Sequence, residues 1–353
     1  MAASLTRSHE VSQSLIEMTG EDNPLPSGGV REVRGGQFLR GINQFLPLGR
    51  KYHPLIRALN GRRGLLAIPL ENYRIIQPAA WTKPITSQLL SGGEVVPEFS
   101  IIRQICRQLV GGVLVDVGAN IGVYTLLLRS ISPLPIVAYE PQPFLFKLLQ
   151  WNIAYNKLPD VETRNVACGA RRGHLNFSIG INGAVVAEAA KAEGEISGAG
   201  PAALDLEQEA GITQAGEAVV SVPVTTLDED LADVPSVALL KIDCEGFEYE
   251  VLRGAANLIK QHRPRLVLEV HPTQLEEFGH STRAVLDLVA RDYELEFWYF
   301  QIGRHASKLA RSLAKFRRPK AHRCADVPEM LAAAKSIPGP AQIYFIGEPR
   351  KKQ

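Results

Sequence analysis

Four short stretches of the chain carry residue types that can bind or activate a small molecule. The first is Asp116-Val-Gly-Ala-Asn-Ile-Gly-Val-Tyr124. Gly118 and Gly122 remove side chains where the backbone must turn sharply and approach a ligand closely. Asn120 tolerates unusual backbone angles and adds an amide for hydrogen bonding. The second is Glu140, which ends an apolar run 18 residues after Gly122, where a carboxylate can accept from both hydroxyls of a ribose. A dinucleotide loop would read GxGxxG; here the spacing is GxNxG with Val123 next, which favours a nucleoside over a dinucleotide and disfavours an NAD-dependent oxidoreductase. Taken singly, 116–124 could be only a strand-to-helix turn and Glu140 a solvated strand end; their register argues for one site.

The third and fourth stretches, Asp243 with Glu245 and Glu269 with His271, each follow an apolar run. Carboxylates and imidazoles so placed can take a proton from an acceptor hydroxyl, and Asp243 or His271 is the favoured base. Gly246 permits the tight turn that follows the first pair. The plainer alternatives are that Asp243 or Glu245 caps the next helix and that His271, before Pro272, is structural. Converging carboxylates and a histidine can also bind a divalent ion, but the expectation is a site without metal.

These residues need a scaffold that presents strand ends to one crevice, and the pattern supplies it. GGVLVDVG reads as a buried parallel strand followed by a helix through IGVYTLLLRS. PIVAYE at 135–140, helical FLFKLLQWNIAYN, VETRNVA at 161–167 and HLNFSIG at 174–180 continue the alternation. AVVSVPVTTLDEDL, VALLKID at 237–243, helical FEYEVLRGAANLIKQH and RLVLEV at 265–270 are expected to complete a parallel sheet. YELEFWYF at 293–300 and IYFIG at 343–347 are expected to close it with an antiparallel edge strand. The fold class is therefore α/β, a doubly wound, mostly parallel, Rossmann-like sheet. Residues 1–30 are expected to be a mobile tail, 31–110 an N-terminal cap extension, and 111–349 the catalytic domain, with insertions at 181–217 and 301–340.

DVGANIGVYT, AYEPQP, NVACG at 165–169, TLDE at 226–229, KIDCEGFEYEVLRGA and RPRLVLEVHP, spanning about Gly111 to Pro272, resemble the ordered motifs of FkbM-family methyltransferases. The resemblance implies a class I methyltransferase fold and S-adenosylmethionine as cofactor. It also implies that Asp116, Gly118, Asn120 and Gly122 surround the methionine end, that Glu140 holds the ribose, and that Asn165 and Ala167 lie beside the adenine. The implied activity is O-methylation of a sugar, glycan or secondary-metabolite hydroxyl. A noncatalytic nucleoside-binding scaffold and an RNA methyltransferase are the alternative readings, and nothing in the sequence separates an oxygen from a nitrogen acceptor.

Composition limits the remaining choices. The 353 residues are 45% hydrophobic and 22% charged with a formal net charge of +2, an ordinary globular balance that gives no ground for a nucleic-acid partner. The expected partner is a small-molecule or glycan acceptor, lipid-linked or phosphorylated if the basic run at 304–323 recognises it; that run could also rest on an anionic membrane surface, and a solvated charged helix is its commoner explanation. Cys106, Cys168, Cys244 and Cys324 are widely spaced with no CxxC pair, which fits a reducing cytoplasm. The first 22 residues carry charges too often for a secretory apolar region.

Overall fold

A computed structural model describes residues 29–34, 59–61, 64–79, 97–178, 219–301, 321–336 and 341–351. The 181–217 insertion, nearly all of the 1–30 tail and most of the basic run at 304–323 lie outside the described residues.

The central sheet has eight strands. Five are parallel and adjacent: β6 (Val161–Arg164), β5 (Ile136–Tyr139), β4 (Val113–Val117), β10 (Val237–Ile242) and β11 (Arg265–Val270). From β4 the chain builds outward to β5 and β6, then returns to place β10 on the other side of β4. The crevice between β4 and β10 is thus the point where strand order reverses, which is where open α/β sheets bind ligands. The β4 strand is VLVDV, apolar apart from Asp116, as a strand covered on both faces should be. Helix α2 (Val123–Ile131) buries Leu126, Leu127 and Leu128 on one side of the sheet, joined by α3 (Pro143–Tyr155) with Leu145, Leu148 and Trp151. On the other side pack α5 (Glu248–Arg253), α6 (Ala256–His262) and α8 (Thr282–Val289), through Val251, Leu258, Val285 and Leu286.

The expected doubly wound sheet is present, with three differences in its far half. The last strand, β14 (Ala341–Pro349), is not at the edge: it is inserted antiparallel between β11 and β12 (Tyr293–Gln301). The edge is β13 (Ala321–Cys324), antiparallel to β12, so 321–324 belongs to the sheet rather than to an insertion. The reason is apolar: Phe345 is fully buried and meets Phe297 edge-on, with ring centroids 5.5 Å apart, a contact that an outer strand would leave exposed on one side. The third difference is a separate small sheet. The run 161–167 breaks after Arg164, and β7 (Ala167–Cys168) joins β9 (Val219–Thr225) and β8 (Gly173–Ser178) in the order β7-β9-β8.

The N-terminal cap is a third sheet, β1 (Val30–Glu32), β2 (Leu65–Leu70) and β3 (Tyr73–Pro78), followed by α1 (Pro97–Cys106). Its Leu66, Ile68, Ile75 and Ile76 share one apolar cluster with α2 and α3. Asn152 of α3 fixes this junction. Its Oδ1 accepts from Ile76 N at 2.5 Å, and its Nδ2 donates to Ile76 O at 3.0 Å and Ile121 O at 2.8 Å. The same side chain therefore holds the cap strand and the loop between β4 and α2. Asn152→Ala leaves these buried backbone groups without their partner and is expected to destabilise the protein by about 2–3 kcal/mol. The urea midpoint at constant m-value measures this, and an unchanged midpoint would show that the junction does not depend on Asn152.

Candidate active site

The loop after β4 is shaped by two neighbours. Gly118 has φ +77°, and a Cβ built there would lie 1.9 Å from the backbone oxygen of Asp243, so the β4 and β10 loops touch backbone to backbone. Asn120 is also left-handed, at φ 53°, and its Oδ1 accepts from Ile121 N at 2.8 Å. The amide of Asn120 donates to Glu140 Oε2 at 2.8 Å, and Gln142 N donates to Glu140 Oε1 at 2.9 Å. Glu140 is thereby fixed at the end of β5 with each oxygen held by one amide. Burial pushes its carboxyl up to about 7, against the lowering effect of those two amides.

A cleft opens above these residues and encloses about 650 Å³, including space open to solvent. That is within the range of cofactor sites. It is lined by Gly118, Asn120 and Glu140, by Val166, Ala167 and Phe177, and by Asp243, Glu245 and Phe247. Of the residues expected to hold a nucleoside, Gly118, Asn120, Glu140 and Ala167 border the cleft. Asp116, Gly122 and Asn165 stand behind it. Asp116 is fully buried, accepting from Thr125 Oγ1 at 2.7 Å and pairing with Lys241 Nζ at 3.0 Å. Gly122 precedes α2 and packs on Leu149. Asn165 donates to Glu140 O at 2.8 Å and Pro141 O at 2.9 Å, so it holds the Glu140 loop.

Lys241 is a supporting residue that the sequence reading passed over. It sits opposite Asp116 in the β4–β10 register, and its ammonium also reaches Gly118 O at 3.3 Å, Asp243 Oδ2 at 3.6 Å and the face of Tyr124 at 4.6 Å. Burial alone would lower its pKa; the Asp116 and Asp243 carboxylates outweigh that and hold it charged. The only signal was a lysine in the apolar run VALLKID. Phe177 was missed because it reaches the cleft from β8, in the small sheet.

Asp243, Glu245, Glu269 and His271 come together as expected. Parallel pairing of β10 with β11 sets Ile242 beside Leu268, so the residues following both strands leave the same edge. His271 Nε2 lies 4.0 Å from Asp243 Oδ1, 3.5 Å from Glu245 Oε2 and 3.8 Å from Glu269 Oε1. Its Nδ1 donates to Glu248 Oε1 at 2.7 Å, and Glu248 is fully buried. Burial works against protonation of His271, but the bond and charge of Glu248, followed by Asp243 and Glu269, push its pKa up to about 10. At neutral pH His271 therefore carries a proton and is no base in this arrangement. Glu269 is buried, its Oε2 accepting from Tyr344 Oη at 2.5 Å, and desolvation raises its pKa well above the usual range. Glu245 occupies left-handed backbone at φ 48°, an uncommon setting for a residue other than glycine and one that recurs at functional sites. Tyr344 continues to Tyr124 Oη at 3.4 Å, which donates to Glu98 of α1 at 3.4 Å, so the cap reaches the same cluster.

A doubly wound sheet with a cleft at its switch point, a buried carboxylate after β5 and a carboxylate–histidine cluster at the ends of β10 and β11 defines a Rossmann-like protein of the class I methyltransferase type. Residues 116–295 match the model of the methyltransferase FkbM domain, and the chain belongs to that family. Over 151 residues, 40% of this chain, it is 30% identical to Methyltransferase 1 of Beauveria bassiana (strain ARSEF 2860), of which the match spans 57%. Among solved structures it is similar to methyltransferase FkbM from Methylobacillus flagellatus KT (17% identity, TM-score 0.34, 52% of this chain and 39% of that one). It is also similar to a SAM-dependent O-methyltransferase from Thermotoga maritima (12% identity, TM-score 0.34, 72% and 66%). All four cysteines are free thiols, and among the described residues no helix is long and apolar enough to cross a membrane.

Proposed function

We propose that the protein is an S-adenosylmethionine-dependent methyltransferase acting on a hydroxyl oxygen of a sugar, glycan or secondary metabolite. The observation that carries this reading is that Glu140 and the Asp243–Glu245 pair line one and the same cleft. Glu140 would hold the ribose of a nucleoside, and the apolar Val166, Ala167 and Phe177 of the same cleft would suit its base. The fit is favourable at the Gly118 loop as well, where the backbone is bare of side chain.

S-adenosylmethionine supplies, when bound, a methyl group activated by the sulfonium. The chain's own part is to hold donor and acceptor in line, which can contribute much of the rate. The acceptor hydroxyl would give up its proton to a carboxylate of the chain. Asp243 and Glu245 border the cleft and are placed for it; His271, already protonated, contributes charge and position.

Calorimetric titration with S-adenosylmethionine, S-adenosylhomocysteine and NAD tests the reading. Binding of both sulfur nucleosides with NAD silent is expected, followed by methyl transfer to hydroxylated acceptors. A folded sample that binds neither sulfur nucleoside would sink the proposal and favour the scaffold alternative.

A further inference from the structure

The three side chains Asp243, Glu269 and His271 do more than line a proton path. We infer that they bind one divalent transition-metal ion at the rim of the cleft, with Asp243 Oδ1, Glu269 Oε1 and His271 Nε2 as protein ligands.

Geometry is the first support. The three donor atoms lie within 4.8 Å of one another, with His271 Nε2 4.0 Å from Asp243 Oδ1 and 3.8 Å from Glu269 Oε1. A triangle with those sides has its centre about 2.3–2.5 Å from each corner, roughly 0.3 Å beyond the bonds that zinc makes to nitrogen and oxygen, so a transition-metal ion would draw the three ligands together by a few tenths of an ångström. An ion on His271 Nε2 takes the place of the proton that the surrounding carboxylates otherwise hold there.

The surroundings of the ligands are the second support. In metal sites the far atom of each ligand is held by an outer partner that fixes its orientation. Here the far nitrogen of His271 is bonded to buried Glu248, which also accepts from Gly246 N at 3.0 Å. The far oxygen of Glu269 is bonded to Tyr344, and the far oxygen of Asp243 faces Lys241. A carboxylate–histidine pair aiming the other ring nitrogen at two carboxylates is the arrangement that a catalytic histidine–metal bond requires. All three ligands follow or end adjacent parallel strands, so the site rests on rigid elements.

Charge is the third. A further carboxylate, Glu245 Oε2, approaches the same imidazole nitrogen to 3.5 Å, while Lys241 is shared with Asp116. One imidazole with carboxylates suits manganese, iron, cobalt or zinc better than an all-oxygen cage for calcium or magnesium would. Use of the ion as a Lewis acid on an acceptor oxygen rests on the methyl-transfer reading; binding of the ion does not.

The test is titration of the chelator-stripped, full-length protein with cobalt(II) in the absence of nucleoside, followed by visible absorption and by paramagnetically shifted histidine ring resonances. One saturable cobalt per chain is expected, with a shifted imidazole signal. His271→Gln and Glu269→Gln are expected to weaken binding at least a hundredfold, and Glu248→Gln about ten- to hundredfold. Absence of saturable binding below about 1 mM, or a wild-type complex without a shifted histidine signal, would overturn the inference. Wild-type affinity in either His271→Gln or Glu269→Gln would overturn it too. S-adenosylhomocysteine binding, measured separately on each sample, reports the fold of the variants. It also distinguishes failure of the metal site from failure of the methyl-transfer reading.

Discussion

Gly118→Ala is expected to abolish nucleoside binding. The added Cβ would sit 1.9 Å from the backbone oxygen and 3.0 Å from the carbonyl carbon of Asp243, and the position is held at φ +77°. Neither clash can be relieved by a side-chain rotation, because the obstacle is the main chain of the β10 loop. Left-handed backbone costs an L-residue roughly 1–2 kcal/mol and overpacking a further 1–3 kcal/mol. The two loops must part, and with them go Asn120, whose amide holds Glu140, and Asp243, which lines the same cleft. A fall in S-adenosylhomocysteine affinity of about a hundredfold or more is expected, with a lowered melting temperature. Gly173→Ala is the control: nothing lies within 4 Å of its added Cβ, and it should bind as wild type. If Gly118→Ala kept wild-type affinity and melting temperature, the contact between the loops would be dispensable and the cleft would be assembled by other means.

Glu140 gives the second large effect, and here pH separates mechanism from fold. Charged hydrogen bonds contribute roughly 1.5–3 kcal/mol, so Glu140→Ala should weaken binding of either sulfur nucleoside about ten- to hundredfold. Burial places the free carboxyl at about 7. A raised carboxyl pKa favours the folded state below the unfolded value, and this contribution is lost as pH rises through about 7. Ligand binding has the opposite sign. Ribose hydroxyls donate to the ionised form, so binding must expel a proton when the pH is below about 7. Affinity is therefore expected to fall about tenfold between pH 8 and pH 6 in the wild type, and to stay flat in Glu140→Gln. Calorimetry in two buffers of different ionisation enthalpy would detect the released proton at pH 6. Equal pH profiles for wild type and Glu140→Gln would remove Glu140 from the ribose site.

Several features of the site were legible residue by residue. The apolar strand VLVDV, the GxNxG turn and the charge after IVAY are local, because a strand, a sharp turn and a strand end are specified by neighbours in sequence. The roles of individual members were less so. Asp116 and Asn165 resemble ligand contacts in sequence, yet Asp116 is consumed by Lys241 and Thr125 and Asn165 by the carbonyls of Glu140 and Pro141. The candidate base shows the same limit. His271 after a strand end suggested proton transfer, but Glu248, from the start of α5, leaves it protonated at neutral pH.

What the sequence by itself determined is the alternation of strands and helices from Gly111 onward, the position of the nucleoside loop and the identity of the four acid–base candidates. Each depends on periodicity or spacing within a dozen residues. What only the tertiary structure decided is which of these meet. Strand register put Lys241 against Asp116 and brought Asp243 to Glu269 and His271; burial then raised the Glu269 pKa, and neighbouring carboxylates raised those of Lys241 and His271. The placement of β14 inside the sheet brought Tyr344 to Glu269, and the small sheet carried Phe177 to the cleft. Contacts across strands far apart in sequence follow from closing long loops around a shared core, and hydrophobic pattern alone does not choose the partner.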